Sequence, residues 1–150
     1  MTHAQTDIIL WNASYATGID EIDEQHQILV STLNEANLRL REDESLEALE
    51  QITRDLLAYA LYHFETEEGL MREFGYAETD PDNAEAHLAQ HRAFSSKVVE
   101  VRDRIKSGNR IPREELISFL NQWLVNHILA TDRKLGEFIL ARKNGANRAA

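Results

Sequence analysis

Residues 81–107 read PDNAEAHLAQHRAFSSKVVEVRDRIKS, and the apolar residues and histidines among them fall at Ala84, His87, His91, Phe94, Val98, Val101 and Ile105. Every step is three or four residues, the repeat of a helix with one buried stripe. Asp80-Pro81 offers an N-cap and a first helical residue, and Ser107-Gly108-Asn109 offers a stop. Two histidines sit inside the stripe, one turn apart. Imidazole is a metal ligand whose neutral form can enter a core.

The same repeat extends to either side. Upstream, the spacing predicts a helix over 46–74, capped by Ser45 and stopped by Gly75. Its stripe is Leu49, Ile52, Leu56, Tyr59, His63, Glu67, Leu70 and Phe74, with Gly69 costing ~1 kcal/mol relative to alanine. An earlier helix over 20–41 starts after Thr17-Gly18 and carries Ile22, His26, Leu29, Leu33, Ala36 and Leu40. Downstream, Pro112 opens a helix over 112–142 with Leu116, Leu120, Trp123 and His127 on its inner face. Residues 1–19 read as an extended arm, Tyr76 to Asp80 as a loop, Glu42 to Glu44 as a solvated turn and 143–150 as a frayed tail. Four helices joined by short connections predict an all-α fold, an antiparallel up-down-up-down four-helix bundle in one domain over 1–150.

Composition narrows the function. With 150 residues, 43% hydrophobic and 28% charged, the chain has the make-up of a soluble globular domain. A formal net charge of −10 argues against a nucleic-acid surface. The absence of cysteine excludes disulfides, zinc ribbons and iron–sulfur clusters, and fits a reducing compartment. The first residues lack the pattern of a signal peptide, and no apolar run approaches the roughly 20 residues of a membrane span. A cytoplasmic monomer is the expectation. His3 lies in the polar head and is given no role.

The chemistry resides in the stripes. Five of the six histidines, His26, His63, His87, His91 and His127, lie on them, with Glu67 four residues after His63 and Asp132 five after His127. Residues four apart on a helix are offset by only ~40°, so His63 stacks with Glu67 and His87 with His91. His26 is early in its helix, His63 late, His87 and His91 early, and His127 midway, so an up-down bundle brings all of them toward one end. Asp132 is the exception. Five residues place it ~140° from His127 on an ideal helix, and the apolar phase slips here to Leu135 and Ile139. One extra residue in that turn, a π-bulge, would bring Asp132 inward. Buried carboxylates and imidazoles in this number require a cation. Imidazole mixed with carboxylate suits iron, zinc, copper or nickel rather than calcium or magnesium. Seven donors exceed one tetrahedral site, whereas two first-row ions sharing both carboxylates account for every group.

Several motifs together resemble the hemerythrins, in particular the single-domain bacterial hemerythrins. They are Gly18-Ile19 with Ile22-Asp23-Glu24-Gln25-His26, His63-Phe64 followed by Glu67-Glu68, His87-xxx-His91, Trp123-Leu124-Val125-Asn126-His127, and Asp132. The resemblance runs from Trp11 to about Leu140. It implies a non-haem di-iron centre that binds O2 reversibly and is not an enzyme. On that mapping His87, His91 and His127 hold one iron, and His26 and His63 hold the other, which keeps a position open for O2. Glu67 and Asp132 bridge the two irons together with an oxo or hydroxo group. Leu124 then resembles a wall of the oxygen pocket, with Trp123 behind it. The segment from Gly75 to about Asn83 is longer and more acidic than is usual in the family.

Other readings of single residues are plainer. Phe64, Phe94, Phe119 and Trp123 stand at core spacing and are read as packing, and Glu68 as a surface or supporting group rather than a ligand. Transport, storage, delivery or sensing of O2 would use the same site, and a receiving protein partner is unspecified. The alternative is a di-iron oxidase, peroxidase or nitric oxide scavenger.

Overall fold

Ser45 accepts a hydrogen bond from the Ala48 amide at 3.1 Å and starts helix α2, Leu46–Phe74. Gly75 ends it with φ +73°, a left-handed conformation that only glycine adopts without strain. Asp80 caps α4, Pro81–Lys106, accepting from the Asn83 amide at 3.4 Å. Helix α1, Asp20–Glu42, is entered differently from the simple Thr17-Gly18 cap expected. The Asp23 carboxylate reaches back to accept from the Thr17 amide and hydroxyl, both at 2.7 Å, and from the Gly18 amide at 3.1 Å.

The computed structural model describes residues 8–42, 45–108 and 112–149. His3, Asp43 and Glu44 of the acidic turn, and Asn109 lie outside the described residues. The protein is all-helical and, among the described residues, contains no strand. Helix α1 packs on α2 and on α5, Arg113–Asn126, while α2 packs on α4. Phe94 of α4 closes the ring against Phe119 and Trp123 of α5, at 6.2 and 4.4 Å between ring centroids. The result is a four-helix bundle in which the last rod is composite. A π-helical turn, His127–Asp132, interrupts it between α5 and α6, Arg133–Ala149. Among the described residues no helix is long and apolar enough to cross a membrane.

Two expectations are corrected. Tyr76 to Asp80 is not a plain loop: Tyr76–Thr79 form a short helix, α3, and Tyr76 is buried against Phe138 at 4.8 Å. Residues 143–149 are helical rather than frayed, because α6 is anchored just before them. The Arg142 guanidinium donates to Thr79 Oγ1 at 2.6 Å and lies over the Phe138 ring, while Lys143 lies over Phe74. No proline follows to stop the helix.

The α1 and α4 stripes are buried as predicted. On α2, Ala60, Phe64 and Met71 replace Tyr59, Leu70 and Phe74 as buried residues. That helix faces both α1 and α4, so its covered face is wider than one seam. The arm ahead of α1 is held by a two-point clamp: the Ile9 amide donates to Asn34 Oδ1 at 2.9 Å, and Asn34 Nδ2 returns a bond to the Ile9 carbonyl at 2.8 Å.

The buried apolar residues form two clusters. The larger fills the middle and far end of the bundle, from Leu29 and Ala60 through Phe94 and Leu124. The smaller joins Ile19, Ile22, Met71, Tyr76, Ala84, Leu135 and Ile139 at the near end. Between them lies a polar layer.

Candidate metal centre

Each long element delivers its donors to that layer from a helical stripe. Helix α1 brings His26, α2 brings His63 and Glu67, α4 brings His87 and His91, and the π-turn brings His127 and Asp132. All seven are between 0 and 3% exposed. The π-turn is the expected bulge: with its extra residue, the five-residue spacing spans about one turn, as four residues do in an α-helix. It brings Asp132 Oδ1 to 2.8 Å from His127 Nε2.

The two carboxylates lie among all five rings. Asp132 Oδ2 is 2.6 Å from His26 Nε2 and 3.8 Å from His63 Nε2, whereas Oδ1 is 3.2 Å from His87 Nε2. Glu67 Oε1 is 3.0 Å from His91 Nε2, 3.3 Å from His63 Nε2, and 3.4 Å from the Nε2 atoms of both His87 and His127. Two sets of donors emerge, each with its atoms within 4.8 Å of one another. One is Glu67, His87, His91, His127 and Asp132; the other is His26, His63, Glu67 and Asp132. Both carboxylates belong to both sets.

The chemistry of the donors calls for a cation. Glu68 Oε2 lies 2.9 Å from His91 Nδ1. An ionised carboxylate only accepts, so Nδ1 carries a proton and Nε2 faces Glu67 Oε1. Nε2 and Oε1 at 3.0 Å need a second ring proton or a metal ion between them. His63 Nε2 and Glu67 Oε2 are buried without a hydrogen-bond partner, a costly arrangement that metal coordination relieves. The set of five imidazoles and two carboxylates fits a pair of first-row ions.

Electrostatics act in the same direction. Burial and the charge of Asp132 push the Glu67 carboxyl up, but the imidazoles around it outweigh both and hold it below the usual carboxylate range. Asp132 is likewise held well below that range: His127, His26 and His63 overcome its burial. Burial depresses His87 and His127, yet their carboxylate contacts prevail and raise them to about 9 and about 10. Protons and metal therefore compete for the same nitrogens.

Apolar groups enclose the layer on both sides. Leu29, Ala60, Phe94 and Leu124 each lie three residues from a stripe histidine, His26, His63, His91 and His127 respectively, one turn deeper into the bundle. With Phe64 and Trp123 they line a small apolar cavity of about 20 Å³. The sequence-predicted pocket residues Leu124 and Trp123 both lie on its wall. Phe64 stacks on His91 at 4.0 Å and Trp123 on His127 at 4.4 Å, each tilted by 14°.

Sequence reading missed two supporting residues. Gln25 Oε1 lies 2.8 Å from His63 Nδ1, and Gln90 Oε1 lies 2.8 Å from His127 Nδ1. Both immediately precede a stripe histidine, His26 and His91, which turns them toward the neighbouring helix. That position was the available signal.

A family model described as Hemerythrin HHE cation binding domain matches residues 17–139. The chain is 32% identical over 137 residues to a bacteriohemerythrin of Stenotrophomonas maltophilia, covering 91% of this chain and 85% of that protein. It is 25% identical over 135 residues to a bacteriohemerythrin of Methylococcus capsulatus, covering 89% and 98%. A crystal structure of wild-type hemerythrin shares the fold, with a TM-score of 0.78 at 23% identity, over 89% of this chain and 98% of the other.

Proposed function

The chain belongs to the hemerythrin family, and we propose that its buried histidine–carboxylate layer holds two iron ions and binds O2 reversibly. The observation that carries this reading is the division of seven buried donors into a set of five and a set of four that share both carboxylates. When bound, an iron pair supplies two one-electron reductants side by side, which matches the two-electron demand of O2.

Each group of the chain then has a part. His87, His91 and His127 hold one ion, His26 and His63 the other, and Glu67 and Asp132 span both. The second ion has one protein donor fewer, so it is the one with room for a further ligand. Leu29 and Ala60, one turn from His26 and His63, line the cavity together with Phe94 and Leu124, one turn from His91 and His127. Its volume of about 20 Å³ suits one small molecule rather than an organic substrate. The two apolar clusters exclude bulk water from the layer, which favours release of intact O2 over its reduction. Gln25, Gln90 and Glu68 fix the ring orientations of His63, His127 and His91.

Iron-replete protein, reduced and then cycled between air and argon, should hold two irons per chain and show a visible absorption band that appears and fades over many cycles. A band lost after one cycle, with steady consumption of reductant, would indicate an oxidase instead. Zinc recovered in place of iron would exclude both.

A further inference from the structure

The layer supports its five imidazoles unequally. His63 and His127 have amide partners, Gln25 and Gln90. The Nδ1 atoms of His26 and His87 are buried with no hydrogen-bond partner. Only His91 bonds through Nδ1 to a carboxylate, Glu68, at 2.9 Å. Glu68 immediately follows Glu67 on α2, so one turn of that helix supplies both a shared carboxylate and the partner of a ring on α4.

Glu68 also differs in its setting. Its side chain is 34% exposed, and it lines a surface groove between α2 and α4 with Arg72, Arg92, Ser95 and Ser96. His91 and Phe64 also line this groove. A charge placed there keeps much of its hydration and still reaches a donor ring of the buried layer.

We propose that Glu68 is a positioning residue that, through His91, sets the electron density on the three-imidazole half of the centre and hence how readily the metal there is oxidised. The proposal rests on the di-iron reading above. A carboxylate accepting from Nδ1–H shifts charge toward Nε2 and makes the ring a stronger donor. An amide oxygen, as on Gln90 or Gln25, offers a dipole and no net charge. The half of the centre built from His87, His91 and His127 therefore has the more electron-rich surroundings.

Glu68→Gln keeps an acceptor at the same reach and removes the charge, at a position exposed enough to leave the fold intact. Spectroelectrochemistry of the iron-loaded protein should give a reduction potential higher than wild type, with the reduction equilibrium shifted about tenfold, or ~59 mV for one electron. Titration with Co2+, followed by its visible spectrum, should show about tenfold weaker binding. Gln90→Glu, which adds the same charge behind His127, should move the potential the opposite way. Equal potentials and Co2+ affinities in wild type and Glu68→Gln, with a change only in Glu68→Ala, would show that Glu68 merely holds the ring, and would overturn the proposal. Wild-type protein that binds Co2+ but no iron pair would instead overturn the di-iron reading, and the Co2+ arm still decides the effect of the Glu68 charge.

Discussion

His87 and His127 place protons and metal in competition for the same ring nitrogens, which makes metal uptake a proton-release reaction. Carboxylate contacts raise the two rings to about 9 and about 10, so both carry an extra proton at pH 7 in the metal-free protein. Loading with Fe2+ or Co2+ at neutral pH should release protons, and apparent affinity should rise with pH until those values are passed. Calorimetry in buffers of different ionisation enthalpy measures the release directly. The sign for stability is opposite. A raised histidine contributes stability below its unfolded value of about 6.5 and loses it as pH rises through the folded one. The metal-free protein should therefore lose stability between about pH 6.5 and 10, while metal-loaded protein should not; melting curves across that range distinguish them. The stripe histidines were legible because a titratable ring in an apolar repeat is unusual. Gln25 and Gln90 were not, because an uncharged side chain beside a stripe reads as ordinary surface.

Among the elements, the last rod shows most clearly how a local signal can anticipate local geometry. The phase slip between His127 and Leu135 pointed to a π-turn, and His127–Asp132 is one. Helix α3 was illegible for a simple reason: four residues are too few to display a period. Close approach between elements was also hidden. A Cβ at Gly136 of α6 would lie 2.8 Å from the Thr17 carbonyl oxygen, where the arm crosses the helix. One at Gly69 of α2 would find only the far end of Arg72 at 3.9 Å. Both glycines lie inside helices and read alike in sequence. Gly69→Ala should stabilise the protein by up to ~1 kcal/mol, whereas Gly136→Ala should destabilise it by roughly 1–3 kcal/mol despite the better helix former. Chemical denaturation of the two variants gives the signs, and equal stabilisation by both would contradict the close packing of arm and helix.

At the scale of the whole molecule, the polar layer is sealed between two apolar clusters. Ile22, Met71, Ala84 and Leu135 lie on one side, and Leu29, Ala60, Phe94 and Leu124 on the other. Each is three or four residues from a member of the layer, so the seal uses the helical repeat that places the donors. Thinning it should affect stability and chemistry together. Leu124→Ala should cost ~2–5 kcal/mol through the cavity it leaves, and should speed irreversible oxidation of the iron-loaded protein by admitting water. Ile22→Ala should destabilise comparably from the opposite cluster. Unchanged oxidation rates in both, at matched temperature below melting, would show that the apolar layers do not protect the centre.

The helices, their caps and the identity of the buried polar residues follow from the order of amino acids, because a three-to-four repeat is a local property of a helix. The gathering of donors at one end was also inferable, since antiparallel helices joined by short connections fix which levels coincide. Sequence could not apportion the carboxylates. Which Asp132 oxygen faces His26 and which faces His127 depends on helix rotation and a π-turn over distances of 2.6 to 3.8 Å. Nor could it show that Glu68 reaches His91 across two helices. Such pairings depend on how the helices pack, and only the folded bundle decides them.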